Sequence, residues 1–289
     1  RRMDMTPECI PCLLGRVLFE AELCAPRRAA AAMRDGLAIL HESYVPGANS
    51  AEVATKVHRR GYDVLGCEDP YASLKERSDG VAASLLDRAR EFIARSEDRL
   101  EAAVLVAIAG NVMDFGIPGH DDPEQLRHDL DAILAQGLDV NDVGGLRQRL
   151  GPGRRVVYLT DNCGESVLDR LLVEEIKSTG ATVVGVVKGA PVLTDVTMDE
   201  TRRAGLDEAF DEILTTGMFA VGIDTRRIGD RLRSELDGAD VIVSKGMANF
   251  ESLSDAGMGP IIYLMRAKYR PVAEAIGARK GDNVAKLCA

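Results

Sequence analysis

The chain has 289 residues, of which 46% are hydrophobic and 28% charged, and its formal net charge is −10. This length and composition are typical of a globular protein with a sizeable core, and the acidic balance argues against nucleic-acid binding, which favours a basic face. The longest apolar run, Ala102–Ala109, is far shorter than the roughly 20 residues that span a bilayer. We therefore expect a cytoplasmic protein that does not contact membranes.

Residues 4–100 are predicted to form a helical domain. Apolar residues recur at helical spacing from Leu13 onward, and Pro26 is placed to open a second helix. Ser50 is placed to cap a third helix, and a longer one is predicted after Pro70. No strand-like alternation interrupts this region.

The pattern changes at Ala102, and residues 101–289 are predicted to form an α/β domain. Strands are predicted at 102–109, 156–159, 181–187, 212–215, 241–243 and 261–265. Helices are predicted at 164–179, at 198–205, after a cap at Asp224, at Asn249, and from Pro271 to the end. Strands that alternate with helices indicate βαβ units and a mostly parallel sheet.

The most informative stretch is Arg155–Glu165, in which a strand, a polar turn and a helix follow one another. The turn carries Asp161 and Asn162, whose oxygens suit a hard cation such as Mg²⁺ or Mn²⁺. The free N–H groups at the start of the helix suit an anion such as phosphate. The alternative is that both residues only cap the helix.

Polar residues also follow other predicted strands, at the edge where open α/β sheets bind ligands. These residues are Asn111 and Asp114, Lys188 and Asp195, and Lys245 and Asn249. Because two close carboxylates repel unless a cation lies between them, Asp161, Asn162 and Asp195 are predicted to bind a divalent metal ion. Lys188 and Lys245 are predicted to neutralise phosphate oxygens, although a lysine at a strand end is often simply exposed to solvent.

The six cysteines include one C-x-x-C pair, Cys9 and Cys12, in a helical region. A structural zinc site usually needs a second pair, which is absent from the sequence, and a thioredoxin-like pair would follow a strand. Packing or incidental thiols therefore remain an alternative to a metal or redox role.

Several familiar catalytic motifs are absent from the sequence. It has no P-loop, no G-x-G-x-x-G after a strand and no G-x-S-x-G nucleophile elbow. An aspartate at a strand end is typical of phosphatases that form an aspartyl-phosphate, but those of the haloacid dehalogenase type have a second acid where this chain has Cys163.

The combination of motifs resembles the DUF89 family of damage-control, metal-dependent phosphatases, in particular the prokaryotic-type group with an N-terminal C-x-x-C. The matching blocks are ECIPCLLGR (Glu8–Arg16), GNVMDFG (Gly110–Gly116), TDNCGES (Thr160–Ser166), VKGAPVLTDVT (Val187–Thr197) and SKGMANFESL (Ser244–Leu253). The TDNCGE and KGMANFE segments are the most specific of these.

The resemblance implies a helical domain beside a Rossmann-like three-layer α/β/α sandwich. It also implies that Asp161, Asn162 and Asp195 bind the metal, and that phosphate or substrate binds near Glu165, Lys245, Asn249, Asn111 and Asp114. We therefore predict hydrolysis of a small phosphomonoester, a sugar phosphate or a damaged phosphometabolite, with Mn²⁺, Mg²⁺, Co²⁺ or Ni²⁺ as cofactor and with Asp161, Asn162 and Lys245 as catalytic residues.

Two alternatives remain open at this point. The first is a non-catalytic metabolite or nucleotide binder that uses the same crevice. The second is a metal or redox protein that uses Cys9 and Cys12. The oligomeric state is also open.

Overall fold

The computed structural model describes residues 3–112 and 124–288. The helices of this part of the chain are α1 (Cys9–Cys24), α2 (Ala29–Ser43), α3 (Ser50–Leu65), α4 (Ala72–Ala83), α5 (Leu86–Arg95), α6 (Arg99–Gly110), α7 (Gln125–Gln136), α8 (Val143–Arg147), α9 (Glu165–Ser178), α10 (Met198–Ala204), α11 (Leu206–Ala209), α12 (Asp230–Gly238), α13 (Met247–Leu253) and α14 (Arg270–Ile276). The strands are β1 (Val140–Asn141), β2 (Arg155–Leu159), β3 (Thr182–Val187), β4 (Glu212–Thr215), β5 (Val241–Lys245), β6 (Ile261–Arg266) and β7 (Asn283–Cys288).

The strands form one seven-stranded sheet in the order β1-β7-β6-β5-β2-β3-β4. All neighbouring pairs are parallel except β6 and β7, which are antiparallel. This arrangement confirms the predicted α/β class with a mostly parallel sheet. Because β2 pairs with β3 on one side and with β5 on the other, the chain reverses its direction of winding at β2, where open sheets bind ligands.

Helices cover both faces of the sheet and produce the three layers that the resemblance implies. Along β2, Val156 and Tyr158 belong to one core cluster, whereas Val157 and Leu159 belong to a second. The first cluster continues into α1–α6 and α9, and the second contains the apolar sides of α12–α14. Burial on both faces explains why the strands read as continuous apolar runs rather than alternating ones.

The N-terminal segment is helical, as predicted, but two of its details differ from the prediction. Asn49, not Ser50, caps α3, because its side-chain oxygen accepts hydrogen bonds from the N–H groups of Ala51 and Glu52 at 3.0 and 3.2 Å. The hydroxyl of Ser50 instead donates to Glu251 at 2.6 Å. The single long helix expected after Pro70 is the pair α4 and α5. The division at residue 101 falls inside α6, and the two-domain description stays a prediction.

The prediction of a strand at 102–109 is wrong, because these residues lie in α6. Every residue from Ala102 to Gly110 is buried, so this helix has no polar face to reveal a 3.6-residue period. A short, wholly apolar run cannot be assigned from periodicity alone. Consequently Asn111 follows a helix and not a strand.

Two other predictions from the C-terminal half need correction. Asp224 does not cap a helix: α12 begins at Asp230, and the carboxylate of Asp224 accepts a hydrogen bond from the N–H of Arg226 at 3.2 Å. The chain does not close on the helix after Pro271, because α14 is followed by β7. None of the described helices combines the length and apolarity needed to cross a membrane.

Candidate functional site

The candidate site lies at the carboxyl ends of β2 and β5, the two strands at which the winding reverses. Asn249 joins these strand ends, because its Nδ2 donates to the carbonyl oxygens of Thr160 at 3.1 Å and Lys245 at 2.8 Å. These bonds hold the turn after β2 in a fixed position relative to the end of β5.

The loop after β3 lies alongside this turn. The N–H of Val196 donates to the carbonyl of Asp161 at 3.0 Å, and Asn162 and Asp195 form an isolated antiparallel bridge. These backbone contacts bring Asp195 next to Asp161 and Asn162, although more than thirty positions separate them in the sequence.

Asp161, Asn162 and Asp195 line a common cavity of about 130 Å³. Their side chains are 6%, 3% and 4% exposed, so the polar groups open onto the cavity and not onto bulk solvent. The lining also includes residues of the helical segment and of the C-terminal region, among them Cys9, Cys12, Arg16, His58, Glu251 and Tyr269.

Two amide groups orient the carboxylate of Asp161. Its Oδ2 accepts hydrogen bonds from Asn162 Nδ2 at 2.8 Å and from Asn111 Nδ2 at 3.2 Å. Both amides also donate to Glu165 Oε2, each at 2.9 Å. On the other side, Gly246 leaves room for the carboxylate, because a Cβ at this position would lie 1.9 Å from Asp161 Oδ2.

The side-chain oxygen of Asn162 faces the loop that carries Asp195. It accepts a hydrogen bond from the hydroxyl of Thr194 at 2.5 Å, which fixes the amide with its NH₂ group toward Asp161 and Glu165. An amide oxygen has two acceptor lone pairs, so one remains for a further ligand in the cavity.

The donor set fits a hard divalent cation. Carboxylate and amide oxygens are the ligands that Mg²⁺ and Mn²⁺ prefer. Within residues 3–112 and 124–288, no group of three or more His, Cys, Asp and Glu side chains is placed to hold a metal ion by itself, so the prediction of a metal at Asp161 and Asp195 depends on the amide oxygen of Asn162 as well.

Lys245 lies beneath the cavity and has three acceptors. Its Nζ donates to Glu165 Oε1 and Asp169 Oδ1, each at 2.6 Å, and to the carbonyl of Ala107 at 3.0 Å. All three charged side chains of this cluster are fully buried. Direct contact of Lys245 with phosphate stays a prediction, whereas these contacts show it fixing Glu165, which in turn holds Asn111 and Asn162.

The charges of this cluster shift one another's pKa values. Burial raises the pKa of Asp169 to about 6, and the attraction of Lys245 only partly opposes this effect. Burial alone would lower the pKa of Lys245, but the attraction of Asp169 and Glu165 raises it above its ordinary value. Lys245 is therefore charged at neutral pH.

Two other residues predicted to bind phosphate, Lys188 and Asn111, contact Asp195 and Asp161 respectively. Lys188 lies against Asp195, with Nζ 3.3 Å from Oδ2, and it also donates to the carbonyl of Gly222. Asn111 accepts a hydrogen bond from Lys268 through its backbone carbonyl at 2.6 Å. Asp114 lies outside the described residues. None of the predicted phosphate contacts is tested by these positions alone.

The expectation of free N–H groups after Asp161 is wrong for four of them. Those of Ser166 and Val167 donate to the carbonyls of Asn162 and Gly164, each at 3.1 Å. The N–H of Cys163 donates to the carbonyl of Thr194 at 2.8 Å, and the N–H of Gly164 donates to Asp79 Oδ1 at 2.6 Å. The close packing of the turn against the neighbouring loop and against α4 supplies these acceptors, so an anion would have to find other donors.

Four residues with a supporting role were missed in the sequence. Asp169 was detectable, because it lies four positions after Glu165 and therefore on the same face of α9. Thr194 and Asp79 left no local signal, since each acts on a residue distant in the chain. Gly246 stands between two recognised residues, and only its positive φ of 77° and its contact with Asp161 reveal its role.

The C-x-x-C pair lies at the first turn of α1 and faces the same cavity. Both residues are free thiols. Cys12 Sγ lies 3.0 Å from the hydroxyl of Tyr269, and Cys9 Sγ lies 3.5 Å from that of Thr6. Burial raises the pKa of Cys9 above its ordinary value, which disfavours the reactive thiolate.

Comparison with known proteins places the chain in a family. The model of the damage-control phosphatase ARMT1-like domain matches residues 5–284. A damage-control phosphatase of Archaeoglobus fulgidus is 42% identical over 288 residues, which cover 99% of each chain. A damage-control phosphatase of Pyrococcus horikoshii is 30% identical over 98% of this chain and 97% of its own. The crystal structure of a DUF89 family protein from Pyrococcus horikoshii has a TM-score of 0.88 at 28% identity and covers 99% of both chains.

Proposed function

This chain belongs to the DUF89 family of damage-control phosphatases, and we propose that it is a metal-dependent phosphatase that hydrolyses a small phosphomonoester. The observation that carries the proposal is the shared cavity of Asp161, Asn162 and Asp195 at the point where the sheet reverses its winding. Oxygen ligands from two carboxylates and an amide suit a divalent cation, and the bound cation would in turn attract a phosphoryl group.

Asp161, Asn162 and Asp195 would hold the metal ion. When bound, such an ion supplies positive charge that orients the phosphoryl group and offsets the charge developing on its oxygens. The protein's part is to keep the three ligands rigid. The amides of Asn111 and Asn162 fix Asp161, and the hydroxyl of Thr194 fixes Asn162.

The cavity also presents a cation from the helical segment. Arg16 lines it and is only 7% exposed. A guanidinium group can donate two parallel hydrogen bonds to a phosphate. Arg16 would therefore bind the phosphoryl oxygens and compensate for the overall acidity of the protein.

The size and lining of the cavity support a small substrate. About 130 Å³ of space is available, and apolar residues such as Leu13 and Val221 alternate with polar ones along the wall. A sugar phosphate or a damaged phosphometabolite has this mixture of a charged end and a compact organic part, and the helical segment would select the organic part.

The test is a phosphate-release assay over a panel of phosphometabolites, with and without Mn²⁺, Mg²⁺, Co²⁺ and Ni²⁺. We expect release that depends on a divalent metal and is abolished in Asp161→Ala. Asp87→Ala, which removes an exposed carboxylate on α5, is the matched control and should retain wild-type activity. A ligand that stabilises the protein thermally, without phosphate release under any of these conditions, would instead support the non-catalytic binder.

A further inference from the structure

The helical segment contributes a buried His–Glu pair to the wall of the same cavity. Glu20 of α1 and His58 of α3 are 0% and 1% exposed, and Glu20 Oε1 lies 2.7 Å from His58 Nδ1. Tyr71, also fully buried, donates its hydroxyl to the same carboxylate oxygen at 3.3 Å. Burial of a carboxylate costs free energy unless the group has partners, and for Glu20 these partners are His58 and Tyr71.

The imidazole of His58 has a buried nitrogen without a hydrogen-bond partner in the part of the chain that the structure describes. His58 lines the cavity together with Asp161, Asn162 and Asp195. Its Nε2 is buried and has no hydrogen-bond partner among the described residues. The contact of Nδ1 with Glu20 is close but not linear, as is common for catalytic pairs before the substrate binds.

The position of His58 relative to the metal-ligand loop is fixed by its own helix. Tyr62, one turn further along α3, accepts a hydrogen bond from the N–H of Leu193 at 3.0 Å. Leu193 lies two residues before Asp195. The same helix therefore carries His58 and anchors the loop of the candidate metal site. This fixes the position of His58 relative to Asp195.

We propose that His58, oriented by Glu20, is the general acid that protonates the leaving group of the phosphomonoester. This inference rests on the proposed phosphatase function and adds a catalytic residue to it. As the bond between phosphorus and the bridging oxygen breaks, His58 Nε2 gives its proton to that oxygen. Water forms the new P–O bond, and a proton released from this water restores the imidazolium, so the products are an alcohol and inorganic phosphate.

A general acid is needed most when the leaving group is a poor one. The experiment therefore compares an alkyl phosphate such as glycerol phosphate with p-nitrophenyl phosphate, whose leaving group departs without protonation. In His58→Gln, kcat for the alkyl ester should fall by about 10²- to 10⁴-fold, and kcat for the nitrophenyl ester by less than about 10-fold. Glu20→Gln should show the same pattern with a smaller loss, because Glu20 is a positioning residue.

His41→Gln, which changes an exposed histidine on α2, is the matched control and should leave both rates unchanged. Equal losses of both activities in His58→Gln would indicate a structural role and overturn the proposal, as would an undiminished rate on the alkyl ester. Wild-type protein that releases phosphate from neither ester and from no member of the phosphometabolite panel, with any metal, would refute the proposed phosphatase function instead, so the two failures are distinguishable.

Discussion

Replacing Lys245 by methionine removes the only ammonium group that contacts both Glu165 and Asp169 in the described structure. The two carboxylates are fully buried, and each accepts a hydrogen bond of 2.6 Å from Lys245. Methionine has a similar length but no charge, so the substitution leaves two buried negative groups without their counter-ion.

The expected loss in the free energy of unfolding follows from these contacts. Hydrogen bonds to charged groups contribute about 1.5–3 kcal/mol each, so two of them predict a loss of about 3–6 kcal/mol. Removal of one partner of a buried ion pair generally costs about 3–5 kcal/mol, which agrees with this range. No discount for solvent screening applies, because all three side chains are 0% exposed.

The assay is the free energy of unfolding measured by urea denaturation. Lys177→Met is the matched control, because Lys177 makes an ion pair of 2.8 Å with Asp211 but both side chains are about one-third exposed, at 32% and 37%. This control should lose only about 0–1 kcal/mol. Adding Asp169→Asn to Lys245→Met should recover part of the loss, since one unpaired charge disappears.

A loss in Lys245→Met no larger than in Lys177→Met would refute the reasoning. It would mean that the ammonium group is accessible to water and free to contact substrate. Reduced turnover with unchanged stability in Lys245→Met would also refute the reasoning, and it would favour the direct contact of Lys245 with phosphate that the sequence predicts.

Three further predictions concern the surroundings of Asp161. Gly246→Ala should abolish metal-dependent activity while the protein remains folded, because the new Cβ occupies the place of Asp161 Oδ2; normal kcat together with a normal circular dichroism spectrum would contradict this. Because the pKa of Asp169 is raised to about 6 by burial, the native state retains a proton between roughly pH 4 and 6 that the unfolded chain has released, so this group makes stability fall as pH rises. Asp169→Asn should flatten that part of the stability–pH curve, and an unchanged slope would argue against the shift. A double substitution of Cys9 and Cys12 by serine should leave phosphate release within about threefold of wild type if the thiols only pack, since surface and packing changes of this kind are small; a complete loss would favour the metal or redox alternative.

The sequence predicted the part of the fold in which apolar pattern and turn chemistry agree. The strand Arg155–Leu159, the polar turn and the helix Glu165–Ser178 follow one another as expected. The assignment from the hydrophobic pattern was wrong for α6. A helix that is buried on every side lacks a polar stripe, so its sequence resembles that of a buried strand. The assignment also missed β7, a six-residue strand whose pairing with β6 is antiparallel and therefore lies outside the alternating βα pattern.

The candidate site was predictable only as a set of residue types at strand ends. Local sequence predicted Asp161, Asn162 and Asp195 as oxygen ligands of a metal ion; the structure brings them to one cavity, and their role as ligands stays a prediction. It did not reveal that Glu165 and Lys245 lie beneath that cavity and hold one another, because their contact joins residues 80 positions apart. Arg16 and His58 were missed for the same reason, since they approach the cavity from the helical segment.

The most direct test of this account is a calorimetric titration of metal-free protein with Mn²⁺. We expect a single site in the wild-type protein, its loss in Asp161→Asn and Asp195→Asn, and its retention in the control Asp87→Asn. Binding of Mn²⁺ with unchanged stoichiometry and affinity in both site variants would contradict the assignment of Asp161, Asn162 and Asp195 as the metal ligands.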